Sequence, residues 1–190
     1  MALVVGIGVV LGGCSTPTPE VEKTPSVVSE APSPTSTPTP VPTGPVKPER
    51  PADMDRTDEV GAAAAATYFL ELYPYVMATG DLEEWDAMTF AELCGFCTSV
   101  RDQAQEIAND GDTYRGGEID VEVVKGYPLD DLVGGYPLDV NVAISDAVLV
   151  NSSGLEVDRQ VAQSKPYRVE VLHDGTLWRV LTVSSDMPVS

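Results

Sequence analysis

The hydrophobic period of this chain changes once, at Gly111, and that change constrains the fold more than any motif does. Before it, apolar residues recur at helical spacing; after it, they alternate. Ala62, Ala66, Phe69, Leu70, Tyr73 and Met77 fall on one stripe and predict a first helix. Thr57 offers a capping hydroxyl to that helix, and Asp58 and Glu59 put acid in its first turn. Pro74 lacks a backbone donor, so a bend is expected between Leu70 and Pro74, and Gly80 is placed to end the helix. Asp81-Leu82-Glu83-Glu84 reads as a capping box opening a short second helix that carries Trp85 and Met88. Cys97, Val100, Ala104 and Ile107 mark a third helix, from about Gly95 to Asn109. Beyond Gly111, Ile119, Val121 and Val123 alternate with acids, as a half-buried strand does. Val140, Val142 and Ile144 begin a second strand, Tyr167, Val169 and Val171 a third, and Trp178, Val180 and Thr182 a fourth. Asp174-Gly175 between the last two is a hairpin signal. Helices first and an antiparallel meander after them predict an α+β fold: three N-terminal helices packed on a curved four-stranded antiparallel sheet.

Upstream of Asp58 no core can form. Eleven of the sixteen prolines lie between Pro17 and Pro51, among Ser and Thr. Such a stretch buries too little apolar surface to offset its ordering entropy. Alternating Pro and Thr favours polyproline II, and about forty residues of it would reach on the order of 100 Å. In front of it stands an apolar run, Ala2 to Leu11, closed by Leu11-Gly12-Gly13-Cys14. The run is about half of what spans a bilayer, so it suits the apolar region of a signal peptide. An apolar run ending in small residues and a cysteine is the substrate pattern of bacterial lipoprotein processing, in which the thiol receives diacylglycerol and the chain is cut before it. No Lys or Arg precedes Cys14, which places the expected start upstream of Met1. The predicted organisation is a signal peptide over 1–13, a lipidated Cys14 and disordered tether over 14–57, and a globular domain over 58–190. One acyl chain holds a protein only marginally, and a mature lipoprotein terminus carries two or three.

The domain is strongly acidic, with 24 Asp and Glu from Asp58 onward against seven Lys and Arg. Such a surface repels nucleic acid and anionic headgroups; it tolerates cationic ligands, divalent ions or basic partners, and the favoured reading is that the acidity keeps a secreted protein soluble. Gly126-Tyr127-Pro128-Leu129-Asp130 reappears as Gly135-Tyr136-Pro137-Leu138-Asp139. The expectation is a duplicated loop between the first two strands, either a tolerated insertion or a ligand-contacting lip.

Cys94-Gly95-Phe96-Cys97 is the sharpest candidate for chemistry. At a helix N-terminus this spacing suits a redox thiol pair, half of a zinc site, or a structural disulfide. The redox reading wants a preceding strand in a βαβ unit, and zinc wants two more ligands. An oxidising compartment favours the Cys94–Cys97 bridge, which leaves Cys14 as the anchor. His173 beside the Asp174-Gly175 turn reads as a turn residue. Ser164, Ser184 and Asp174 lack the strand-turn-helix context of a nucleophile. Asp110-Gly111-Asp112 and Asp130-Asp131 lack calcium-loop spacing. Tyr73, Tyr75, Trp85 and Trp178 are candidate pocket-lining side chains, with core packing the favoured reading. No catalytic residue, metal or cofactor is assigned.

Ala78-Thr79-Gly80-Asp81-Leu82 between two helices, with the late Asp174-Gly175-Thr176-Leu177-Trp178-Arg179-Val180, resembles the cystatin-like cone of the SnoaL and nuclear-transport-factor-two superfamily. More closely, the chain resembles an uncharacterised family of actinobacterial lipoproteins. That resemblance rests on the lipobox, the Pro/Thr tether, Pro51-Ala52-Asp53-Met54, Tyr68 and Tyr73, and Cys94-Gly95-Phe96-Cys97. It implies an extracytoplasmic cone-shaped domain of unknown function and hands over no catalytic residues; the lipobox and tether add the expectation of a lipid anchor on the outer face of the cytoplasmic membrane, within reach of cell-wall or other envelope proteins. The expected role is a non-catalytic binding or accessory module. The alternatives are a cone-pocket enzyme of isomerase or dehydratase type and, third, a thiol redox factor.

Overall fold

A computed structural model describes residues 45–185. The first helix, α1 (Glu59–Thr79), is capped by Asp58 rather than Thr57. The Asp58 carboxylate accepts from the backbone N–H groups of Val60 and Gly61 at 3.2 and 3.3 Å. It thereby satisfies two orphan donors and puts negative charge at the positive end of the helix dipole. The helix runs on through Pro74, so the missing donor costs a hydrogen bond and not continuity. Gly80, at φ +68°, ends it. The second helix, α2 (Glu83–Met88), has no side-chain cap of its own. Asp81 accepts from the Glu83 N–H at 3.2 Å, so the expected capping box is an Asx turn. The third helix, α3 (Gly95–Asp110), starts at Cys94 and stops at Gly111.

The four expected strands pair antiparallel. They are β2 (Ile119–Gly126), β3 (Tyr136–Ile144), β6 (Gln163–His173) and β7 (Trp178–Ser184), in the order β2-β3-β6-β7. The expectation of a single sheet is corrected. β1 (Thr113–Gly116), β4 (Ala147–Val150) and β5 (Glu156–Gln160) form a second antiparallel sheet, in the order β1-β4-β5. β1 and β4 have only four residues each, too few to display a period, and β5 is exposed along nearly its whole length. The loop reading of the duplicated motif is corrected too. Gly126 closes β2 opposite Leu138, and the second copy opens β3. The Tyr127 hydroxyl donates to Asp139 Oδ2 at 2.8 Å, whereas Asp130 accepts from the N–H groups of Leu132 and Val133 to close the turn. The same pentapeptide thus supplies a turn in one copy and a strand in the other. Asp174 opens a four-residue hairpin loop, its carboxylate accepting from Thr176 and Leu177 N–H, both at 2.9 Å.

The single stripe expected on α1 is too narrow. Ala65, Tyr68, Leu72 and Val76 are buried as well, because α1 packs against both sheets and both other helices. One end of the four-stranded sheet is sealed by the segment in front of α1. Met54, in a 3-10 turn (Ala52–Asp55), is 3% exposed, and Trp178 Nε1 donates to the carbonyls of Met54 and Arg56, both at 3.1 Å. Gly61 makes this approach possible: a Cβ there would lie 2.2 Å from the Arg56 carbonyl oxygen. The boundary expected between 57 and 58 therefore falls inside folded structure. One buried methionine in a polar, proline-bearing stretch gives no periodic signal. The expected signal peptide, Cys14 and most of the expected tether lie outside the described residues. Among the described residues no helix is long and apolar enough to cross a membrane.

Candidate functional site

Strand register builds rows across the inner face of the four-stranded sheet. Ile119 stands beside Ile144, and Ile144 beside Gln163; Val121, Val142 and Lys165 form the next row, and Val123, Val140 and Tyr167 the third. Toward the Trp178 end α1 covers the face completely, and Val140, Val169, Val171 and Val180 are all fully buried. Toward the other end a pocket of about 190 Å³ remains between the helices and the sheet. Leu70 and Tyr73 of α1 and Phe96 of α3 roof it, over Ile119, Val142, Ile144 and Val183 of the sheet. Gln160, Gln163, Lys165 and Tyr167, with the Tyr73 phenol, add polar groups to the lining.

A second, larger hollow of about 390 Å³ lies between α3 and the β1-β4-β5 sheet. Tyr73 and Gln160 line both cavities, which places them side by side. Met77, Ile107 and Leu149 give the groove an apolar floor, and Glu106, Asp110, Asp112 and Asp158 surround it with carboxylates. Tyr114 stands in its wall. The Tyr73 and Tyr114 rings meet edge to face at 6.3 Å, and burial pushes both phenols above their ordinary pKa range. The Tyr114 hydroxyl is buried beside the Tyr73 phenol. Gly117 is the residue that admits it: its φ is +75°, and a Cβ there would sit 2.3 Å from the Tyr114 hydroxyl.

Of the four side chains expected at a pocket, Tyr73 lines both cavities and the other three sit elsewhere. Tyr75 turns to α2, its hydroxyl donating to Asp81 Oδ2 at 2.8 Å, which raises its own pKa. Trp85 is fully buried, stacked on Phe69 at 4.1 Å, and its Nε1 donates to the Cys97 carbonyl at 3.0 Å. Trp178 belongs to the sealed end. Cys94 and Cys97 are joined in a disulfide, and the two residues are 1% and 0% exposed. A reactive thiol needs access, and this pair has none. Cys94 Sγ also accepts from the Cys97 N–H at 3.2 Å, so the bridge doubles as the cap of α3.

His173 packs on Trp178 at 5.1 Å and accepts at Nδ1 from the Gly175 N–H, a turn role. Ser164 and Asp174 stand near opposite ends of β6, roughly 30 Å apart at strand rise, so no triad assembles. Asp112 accepts from the Ser152 N–H at 3.0 Å. No group of three metal-ligating side chains occurs among the described residues. Reasoning from sequence missed Gln163 and Lys165, although the alternation of Tyr167, Val169 and Val171 continues back through both. Gln160, on an exposed strand, gave no signal.

These features define a class: an α+β domain with one long helix laid across an antiparallel sheet and a pocket left at the open end. The chain belongs to a family of unknown function (DUF6318), whose model matches residues 34–184. Among solved structures, the intermembrane space region of the chloroplast protein ARC6 is similar in fold, with a TM-score of 0.52 at 13% identity over 69% of this chain and 99% of that one. An uncharacterised protein with a cystatin-like fold from Caulobacter vibrioides also matches, with a TM-score of 0.37 at 10% identity over 67% of this chain and 92% of that one. Aln2 from a Streptomyces species gives a TM-score of 0.34 at 12% identity, over 64% of this chain and 87% of that one. No curated protein matches the chain by sequence.

Proposed function

We propose that this protein is a lipid-anchored, extracytoplasmic binding module of an actinobacterial envelope, holding a small apolar ligand without transforming it. The observation that carries the binding half is the lining of the 190 Å³ pocket. Aliphatic and aromatic side chains form most of it, a few amide, phenol and ammonium groups join them, and no carboxylate or histidine lines it among the described residues. That is the composition of a ligand site, in which a few polar groups orient an otherwise apolar guest. An isomerase or dehydratase would need a proton-transfer carboxylate or histidine opposite a tyrosine here. His173 is at the sealed end of the sheet, packed on Trp178. The burial of both Cys94 and Cys97 speaks against the thiol redox reading.

The anchoring half rests on the sequence: the apolar run, Leu11-Gly12-Gly13-Cys14, and the Pro/Thr tether that follows. The domain would then stand off the outer face of the cytoplasmic membrane, within reach of cell-wall or other envelope proteins. Two experiments test the proposal. Mass spectrometry of the N-terminal peptide from a bacterial host should find diacylglycerol on Cys14, and Cys14→Ala should release the chain to the medium; an unmodified Cys14 overturns the anchor. Turnover of any ester, steroid or thiol substrate that is abolished by filling the pocket, as in Val183→Trp, overturns the non-catalytic reading.

A further inference from the structure

The chemical class of the guest follows from one side chain of the apolar pocket, and this inference rests on the binding reading above. Lys165 lies on the inner face of the sheet, in the row of Val121 and Val142, between Gln163 and Tyr167 on the same face of β6. It lines the pocket and is exposed, so its stem runs along the lining and its ammonium stands at the mouth. Cations are scarce in this domain, where acids outnumber them 24 to seven. Of the seven, Arg101, Arg159, Arg168 and Arg179 are ion-paired, and Lys125 lies over the Tyr127 ring at 4.2 Å. Lys165 has no carboxylate partner among the described residues, and none lines the pocket with it. The amides of Gln160 and Gln163 and the Tyr167 hydroxyl add hydrogen-bond donors to the same lining.

We infer that the pocket binds a small monocarboxylate with an apolar body. The body lies between Leu70, Phe96, Ile119, Val142 and Val183, and the carboxylate meets the Lys165 ammonium at the mouth. Size limits the body: an apolar cavity of about 150 Å³ takes up benzene, so one of about 190 Å³ takes a ring or a short chain and not a long acyl tail. One ammonium matches one negative charge. An amine in the same place would find no carboxylate to receive it and would face Lys165 instead. The acidic excess of the whole chain acts against every anion, but salt screens it over about 8 Å, whereas the Lys165 ammonium is in contact with the guest.

Hexanoate, hexanol, hexylamine and acetate, titrated into the full-length chain at neutral pH in physiological salt and followed by ligand-observed NMR, separate the cases. Hexanoate should bind about fivefold more tightly than hexanol, the scale of one partly exposed ion pair, and hexylamine no more tightly than hexanol. Lys165→Gln should bring the ratio of hexanoate to hexanol affinity to about one, whereas Lys165→Arg keeps it. Lys125→Gln removes the same charge outside the pocket and should keep the ratio as well. Acetate, with the charge and almost no chain, should bind far more weakly than hexanoate, and equal binding of the two overturns the proposal. Equal binding of hexanoate and hexanol, a preference for hexylamine, or a ratio that Lys125→Gln lowers as much as Lys165→Gln does, overturns the carboxylate class while the binding reading stands. If no hexyl compound binds, both readings fall.

Discussion

The inner face of the four-stranded sheet is built from one kind of row but finished in two ways. At the Trp178 end every valine is fully buried, and Met54 and the Trp178 hydrogen bonds close the seam. At the Tyr73 end the same alternation runs on, but Gln163 and Lys165 take the places that valines hold elsewhere, and a pocket remains. The difference lies in what covers the face. The segment before α1 seals one end, whereas the helices and the small β1-β4-β5 sheet only frame the other. Stability is therefore concentrated at one end and room for a guest at the other.

The largest expected effect is at the sealed end. Trp178→Ala should cost about 3–5 kcal/mol in chemical denaturation, because it removes a fully buried indole and its hydrogen bonds to the Met54 and Arg56 carbonyls. Reduction of the bridge, or Cys94→Ser/Cys97→Ser, should cost about 2 kcal/mol by loop entropy, with the cap of α3 kept by the thiol or the serine hydroxyl. A matched pair then reads the comparison directly. Val169→Ala, at a position with no exposure, should cost about 2 kcal/mol, while Val183→Ala, half-buried at the pocket, should cost less than about 1. Equal costs would mean that the open end is packed. Smallest of all, Tyr114→Phe should cost no more than about 1 kcal/mol, the net worth of a single hydrogen bond, here with the Tyr73 phenol.

Acid should also act on the sealed end first. Hydrogen bonds from Arg56 and the N–H groups at the start of α1 hold Asp58 at about 2. Backbone N–H groups of Leu177 and Thr176, with Arg179, hold Asp174 at about 2. Both carboxyls titrate near their ordinary value of 3.8 when unfolded. Their contribution is therefore complete above about pH 4 and is lost as the pH falls through 2. Asp58→Asn/Asp174→Asn, which keeps the helix cap, should flatten the stability profile between those values.

Legibility in the sequence followed the same division. Long, regular stretches were readable: α3 by its stripe, and β2, β3, β6 and β7 by their alternation. Features carried by single residues were not. Met54 closes the sealed end from a stretch that reads as linker, and β5 is a strand without an apolar face. Trp85 and Trp178 stood as pocket candidates with core packing favoured, because an indole with a satisfied N–H serves in either place; both are fully buried. Tyr73 was readable because helical spacing put it on the inner stripe. Lys165 was overlooked because it is charged, although the period of β6 assigns it to the inner face.

The account depends on the inner face having one closed end and one open end, and methyl NMR of the full-length chain titrated with hexanol tests it. The methyl signals of Ile119, Ile144, Val142 and Val183 should move together and saturate, while those of Val140, Val169 and Val180 stay fixed. Shifts spread evenly over both sets, or none at the first set, would contradict it.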